Sequence, residues 1–492
     1  MQNNDIKIYH LANSDLYQLA ANQKRYFALN FSHRDAFSSL LLGTKQLFFL
    51  VEKKSMSNAS LNANGKVPST EGRDPAYFSY YAMLQHQQNM LQDTVRTSTY
   101  RSAILLNGPV CFHDKLVLDV GAGSGILSYF AVQAGARKVY AVEASNMAEK
   151  MQKIVDAANA SGNEVPGKNA FLKDKIEVVQ AKIEQPNLPI PQVDTIISEP
   201  IGVLLIHERM LESYLYARDH YLKPGGTLFP STGSIFLAPF TDAGLWSETM
   251  GKARFWEQQS FYGVDLTAVY ADAKDEMFGM PVVGGFDPRT LIAPANPGGY
   301  LVDFYTITLE ELRDFTIPFI WQASYTGIIH GIAGWFDLQF SPPATIQNGN
   351  PITMTTNPTA ERTHWQQVRF LLKEPLAVNA GQTIQGWMRC IVNEMRSYTI
   401  EAEILLNDGT SQLSDPLSSP SPILNLDYNR RRNKWRLHEQ TYNYSYYPQT
   451  GNDSIFRPEY SCLYEPEQPL DVTVVVENNL LDDATNNGQF VL

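Results

Sequence analysis

Twelve residues, Val117-Leu118-Asp119-Val120-Gly121-Ala122-Gly123-Ser124-Gly125-Ile126-Leu127-Ser128, constrain the fold of this chain more than any other stretch. Val117–Val120 is mostly branched and apolar, as a strand buried on both faces requires. Gly121, Gly123 and Gly125 then let the backbone approach a ligand with no Cβ in the way. The segment from Ile126 reads as a helix whose first turn offers free N–H groups. Eighteen residues past Gly125, a second apolar run ends in Glu143. A carboxylate at that point suits the two hydroxyls of a ribose. The motif predicts a nucleoside-cofactor site on a doubly wound sheet and does not say which cofactor.

The neighbouring sequence extends the pattern. Ile176–Val179 and Thr195–Ser198 read as further strands, so residues 109–229 alternate strand and helix. That alternation predicts a mainly parallel Rossmann-like sheet, with ligands at the carboxyl ends of its strands. Asp119, Glu143 and Glu199 fall at or just past such ends. Upstream, Tyr77-Phe78-Ser79-Tyr80-Tyr81 opens a helical region running to about Leu106, with apolar residues at helical spacing. After Lys223-Pro224-Gly225-Gly226 the pattern changes to short strands and turns. We therefore assign 71–229 to helices plus the Rossmann-like domain and 230–406 to a β-barrel-like domain. An aromatic-rich excursion, 241–280, interrupts the barrel and is either core packing or an arm that docks on a partner.

The two ends of the chain carry less. Residues 1–70 read as an incomplete module, with strand-like pieces at Tyr26–Leu29 and Gln46–Val51, a helix near Asp35–Leu42, and a linker at Ser55–Glu71. Residues 407–492 read as a low-complexity, disordered tail that recruits partners. Within it Arg430–Arg436 is a basic knot, either a localisation signal or a solvated patch. A net charge of −12 argues against direct nucleic-acid binding, where a basic face is expected. Cys111, Cys390 and Cys462 are too far apart in sequence for a metal motif or a disulfide framework, so no metal is expected and a reducing compartment is the default. The N-terminus does not read as a signal peptide. No apolar run approaches the roughly 20 residues that span a bilayer, so no membrane association is expected.

The stretch that names a chemistry is Ser198-Glu199-Pro200-Ile201-Gly202-Val203-Leu204-Leu205-Ile206-His207-Glu208. Two acids bracket an apolar loop directly after a strand. Two carboxylates facing one pocket grip a guanidinium in planar, forked geometry. Taken singly, each acid reads equally as a helix cap or a surface charge.

With Tyr77–Tyr81, Val117–Gly125, Glu143-Ala144-Ser145, Glu199–Glu208 and Thr363-His364-Trp365 in order, the chain resembles the protein arginine N-methyltransferases. Within them it is most similar to the coactivator-associated, type I kind. The likeness runs from about Tyr77 to Leu406. It implies a Rossmann-like methyltransferase domain, a β-barrel domain with a helical dimerisation arm at 241–280, and S-adenosyl-L-methionine converted to S-adenosyl-L-homocysteine. By position it implies Arg96 on the methionine carboxylate and Gly121, Gly123 and Gly125 against the cofactor, with Asp119 beside them. Glu143 would hold the ribose, Ile183 and Glu184 the adenine, and Tyr81 would close the pocket. Glu199 and Glu208 would clamp the target guanidinium, with His364 and its partner Asp93 as a proton-handling pair. Met90, Ile201 and Trp365 would border the substrate.

The resemblance further implies monomethyl and asymmetric dimethylarginine products and a head-to-tail homodimer. Histones and RNA-processing proteins would be substrates, with residence in nucleus and cytoplasm. Residues 30–45 are faintly similar to the last helix of a pleckstrin-homology-like domain. Val203 and His207 depart from the family loop. With Ile201 in place of the usual methionine, they keep alive a weak or inactive scaffold as the alternative, alongside a nicotinamide dehydrogenase that would explain only the glycine turn and Glu143.

Overall fold

The computed structural model describes residues 67–159, 169–418 and 428–443, with a two-residue antiparallel ladder pairing Phe27–Ala28 with Phe48–Phe49. The helix expected near Asp35–Leu42 and the chain beyond residue 443 lie outside the described residues.

The first layer is the expected α/β sheet. Strands β1 (Leu116–Val120), β2 (Lys138–Glu143), β3 (Ile176–Gln180), β4 (Val193–Ser198) and β5 (Leu222–Phe229) pair in the order β3-β2-β1-β4-β5, all parallel. The order reverses at β1, so the carboxyl end of β1 is the switch point at which such sheets bind ligands. The glycine turn follows β1 directly, Glu143 closes β2 and Glu199 follows β4.

Ahead of the sheet, the helical region expected to start at Tyr77 is three helices: α1 (Asp74–Tyr81), α2 (Leu84–Leu91) and α3 (Thr94–Leu106). Extended residues at Met83 and Asp93 break it. Asp93 caps α3, its Oδ1 accepting from the Arg96 N–H at 2.9 Å. Two further helices flank the sheet, α4 (Ile126–Gln133) and α5 (Met147–Asn159), and α6 (Met210–Tyr221) leads into β5.

The second layer begins at once with β6 (Thr232–Phe240). The arm is a helical hairpin of α7 (Ala243–Arg254) and α8 (Tyr270–Phe278). Then follow β7 (Val282–Val283), β8 (Tyr300–Asp303), the short helix α9 (Leu309–Arg313), β9 (Asp314–Gln322), β10 (Gly327–Phe340), β11 (Ile352–Thr355), β12 (Val368–Val378), β13 (Thr383–Asn393) and β14 (Ser397–Leu406). They form two largely antiparallel sheets, one centred on β8-β6-β10-β12 and the other on β9-β13-β14. Ile332, Phe370, Ile384 and Ile400 from both sheets share one buried cluster, which is continuous with the core of the α/β layer.

The expected disordered tail does not hold for residues 428–443. Arg430–Arg436 is strand β15, paired antiparallel along β14, and Thr441–Tyr442 is β16, paired with β7. Within the basic knot Arg430 pairs with Glu403 and Arg432 with Glu401, while Lys434 stays exposed.

Candidate active site

A cavity of about 640 Å3 opens at the switch point. Its wall is built from Tyr77, Tyr81, Met90, Arg96, Gly121, Gly123, Glu143, Ile183, Glu184, Glu199, Ile201 and Glu208, from five different segments. The glycines are required there. A Cβ on Gly121 would sit 2.5 Å from the Met210 methyl, and one on Gly123 would sit 2.8 Å from the Gln87 side-chain oxygen. Glu143 is fixed by backbone, accepting from Gly123 N at 2.8 Å and from Ser145 N at 2.7 Å. Each of its oxygens keeps a lone pair for a further donor.

The loop between the two acids is strained and buried. Leu204, Leu205, Glu208 and Arg209 all have positive φ, which costs on the order of 1–3 kcal/mol per non-glycine residue. Packing holds it. Leu205 seats on Gly233 and Leu204 on Gly334, two barrel positions with no Cβ to obstruct them. Gly202 must be glycine, since a Cβ would lie 2.3 Å from the His207 carbonyl oxygen. The result is two buried carboxylates on one cavity. Glu199 accepts from Arg96 Nε at 3.0 Å. Glu208 Oε2 accepts from the Tyr77 hydroxyl at 3.0 Å and the Tyr81 hydroxyl at 2.6 Å. Burial pushes both acids above the usual carboxylate range, against the pull of Arg96 on Glu199 and of the two phenols on Glu208. A cation entering the cavity therefore meets acids that gain by pairing with it.

Asp93 and His364 form the expected pair. Asp93 Oδ2 accepts from both the backbone N–H and Nδ1 of His364, each at 2.7 Å. Burial works to raise the Asp93 pKa, and the His364 ring and the N–H groups outweigh it, so the carboxyl stays below its ordinary value. Neither residue lines the cavity, though His364 acts electrostatically on both Glu199 and Glu208.

Three other expected residues stand outside the wall. Asp119 lies in the core beneath the turn, accepting from Ser128 Oγ at 2.7 Å, and burial pushes its carboxyl up to about 7. Gly125 starts α4 in a left-handed conformation, with no room for a Cβ against the Tyr129 hydroxyl at 2.7 Å. Trp365 is buried, and its Nε1 donates to the Ile201 carbonyl at 3.0 Å, so it braces the acid loop from behind.

The comparisons with known proteins bear on the family. A probable histone-arginine methyltransferase CARM1 of Oryza sativa subsp. indica is 48% identical over 324 residues, which is 66% of this chain and 58% of that protein. Residues 231–407 match the family model described as the arginine methyltransferase oligomerization subdomain. Over that span the chain is similar to the protein arginine methyltransferases. It spans about three fifths of the length of the curated relatives it matches. Residues 105–203 match the model of ribosomal protein L11 methyltransferase. Among solved structures, Arabidopsis thaliana protein arginine methyltransferase 10 aligns at a TM-score of 0.60 with 28% identity, over 73% of this chain and 99% of that one. The Trypanosoma brucei PRMT1 enzyme-prozyme heterotetrameric complex with AdoHcy aligns at 0.58 with 27% identity, over 72% and 99%.

Of the three departures from the family loop, Ile201 lines the cavity and Val203 and His207 lie away from it. Val203 packs against the core, and His207 is held by burial at a pKa of about 4, its Nδ1 2.8 Å from Ser397 Oγ. Sequence reasoning gave no role to Tyr77, Gln87, Asp74 or Arg396, all of which line the wall. Tyr77 had a signal, since it stands four residues before Tyr81 on the same helix face. Arg396 had none, because it comes from the turn between β13 and β14.

Proposed function

We propose that the chain transfers a methyl group from S-adenosylmethionine to arginine guanidinium groups of histones and other proteins, giving monomethyl and asymmetric dimethylarginine. The observation that carries this reading is the pair of buried carboxylates, Glu199 and Glu208, on one cavity at the sheet's switch point. Names of the relatives support the substrate class.

The cavity suits the cofactor. Its glycine floor admits no Cβ, Glu143 ends β2 with lone pairs to spare for ribose hydroxyls, and Ile183 and Glu184 offer an apolar and an accepting edge to a base. Arg96 is the group for the methionine carboxylate. When bound, S-adenosylmethionine supplies an electrophilic methyl group on a sulfonium and leaves as the neutral thioether. The chain's residues do the rest. A guanidinium is protonated at neutral pH and its lone pairs are delocalised, so it is a poor nucleophile. Glu199 and Glu208 hold it in one plane and draw positive charge onto the nitrogens they contact, leaving the reacting nitrogen richer. They also fix it at near-attack distance. The proton lost on transfer goes to water or through the His364–Asp93 pair, in which Asp93 holds the ring by its Nδ1.

Met90 and Ile201 line the cavity beside the acids and are the residues for product choice. Ile201 is β-branched and stiff, so the room around the nucleophile is fixed. Mass spectrometry of a histone peptide methylated by the protein is expected to find monomethyl and asymmetric dimethylarginine. Symmetric dimethylarginine alone would overturn the product assignment. The scaffold alternative rests on Ile201, Val203 and His207; of these only Ile201 lines the cavity, and both acids of the clamp are present. The substrate class implies nucleus and cytoplasm as the working compartments.

A head-to-tail homodimer through the arm belongs to the same reading. Tyr262 at the arm's tip is 94% exposed, with Val264, Phe255 and Val269 exposed near it, more apolar surface than a free tip needs. Replacing Tyr262 and Val264 together by Asp is expected to shift the mass in solution from dimer to monomer. An unchanged mass would place the interface elsewhere.

A further inference from the structure

The cavity wall contains an arginine of the chain itself. Arg396 sits in the β13–β14 turn with a positive φ, and its guanidinium carbon lies 4.1 Å over the Tyr77 ring. The hydroxyl of that same ring donates to Glu208 Oε2 at 3.0 Å, so one phenol separates an internal guanidinium from the proposed guanidinium clamp. Arg396 is mostly buried and pairs with Asp74 in α1, which also pairs with Lys182. A longer bond from Nη1 reaches the Thr70 hydroxyl at 3.3 Å, and Nε is buried without a partner. Asp74 is the carboxylate that engages this guanidinium, and Glu208 stands next to it across Tyr77.

We propose that Asp74 is a positioning residue that keeps Arg396 out of the substrate clamp. A buried guanidinium that loses its carboxylate moves to the next one within reach, because leaving it unpaired in a low-dielectric wall is costly. Here Glu208 stands across the same phenol and already feels the charge of Arg396. Without Asp74, Arg396 becomes an intramolecular competitor for the site that takes substrate arginine. The same ion pair fastens α1, and through it the Tyr77 and Tyr81 hydroxyls, over Glu208. Lys182 stays solvated when Asp74 is changed, since it is 42% exposed. The idea rests on the arginine-clamp reading of Glu208 and adds a guard to it.

Asp74→Asn keeps the shape of the side chain and removes its charge. A crystal structure of this variant is expected to show the Arg396 guanidinium hydrogen-bonded to Glu208. Arg396 remaining on Tyr77 would overturn the proposal, whether or not the protein transfers methyl groups. With histone peptide, the variant is expected to raise KM by about tenfold and to bind S-adenosylhomocysteine as the parent does. Asp74→Asn combined with Arg396→Met, which retains an apolar cover on Tyr77, is expected to recover most of that loss. A double variant no better than Asp74→Asn would mean that Asp74 only fastens α1. Methyl transfer absent from the parent protein would instead count against the arginine-methyltransferase reading and leave the crystallographic result to decide on Asp74.

Discussion

Glu208→Gln should abolish most methyl transfer while leaving cofactor affinity near that of the parent. Glutamine has the volume of glutamate and keeps one carbonyl oxygen, so the Tyr77 and Tyr81 hydroxyls retain an acceptor and α1 stays docked. What is lost is the negative charge that localises the substrate cation. Removal of one group aimed at developing charge costs about 100- to 1000-fold in turnover, and that is the range expected here. Steady-state transfer to a histone peptide gives the rate, and calorimetry with S-adenosylhomocysteine gives the affinity. A variant within threefold of the parent in turnover would remove Glu208 from the clamp. The parent should also lose activity as pH falls, because burial raises the Glu208 carboxyl above its ordinary value and protonation removes the same charge. Glu208→Gln keeps only the raised Glu199 carboxyl, so its residual activity should fall less steeply with acid than the parent's.

Glu199 is a less clean probe, for a physical reason visible in its partner. It forms a buried ion pair with Arg96, with the two side chains 12% and 7% exposed. Removing one member of such a pair leaves the other charge uncompensated. Loss of charge at Glu199 therefore disturbs Arg96, which is also the residue assigned to the methionine carboxylate. Activity, cofactor binding and stability would fall together. The two acids are alike in sequence and differ in what neutralises them: a cation for one, two phenols for the other.

That difference marks the limit of what could be read from the chain as letters. The glycine turn, its flanking strands and Glu143 were legible because each is local: a buried strand, a turn without Cβ and an acid at a strand end leave a pattern within some thirty residues. The acid pair was legible because it brackets one loop. Asp119 sits at the end of β1 yet turns beneath the glycine turn to Ser128, and a strand pattern does not reveal that direction. That the Trp365 indole supports the acid loop from the core side is likewise not written in its local sequence. Arg396 stayed invisible because its meaning depends on Tyr77, more than three hundred residues away in the chain.

The same blindness to distant partners hid the last barrel strand, and Trp435→Ala tests how much that strand contributes. The run Arg430–Arg436 has no alternating apolar pattern, so it reads as a polar tail. Two of its arginines are nonetheless neutralised by the neighbouring strand: in the β14–β15 register Glu403 faces Arg432 and Glu401 faces Lys434, and the ion pairs Arg430–Glu403 and Arg432–Glu401 run diagonally across it. These pairs set the register, and Trp435 supplies the burial. It is 0% exposed, its Nε1 donates to the Leu371 carbonyl at 2.9 Å, and its ring meets Phe370 edge-on at 5.4 Å. Truncating a buried tryptophan to alanine costs about 3–5 kcal/mol, and here a carbonyl is also left without its donor. The variant should unfold at clearly lower urea concentration than the parent, with a protease cutting first near 428–443. An unchanged midpoint and cutting pattern would mean that β15 is an ornament on the barrel. Among the described residues β15 is the outermost strand of the second sheet, so the barrel needs it to keep the edge of β14 covered.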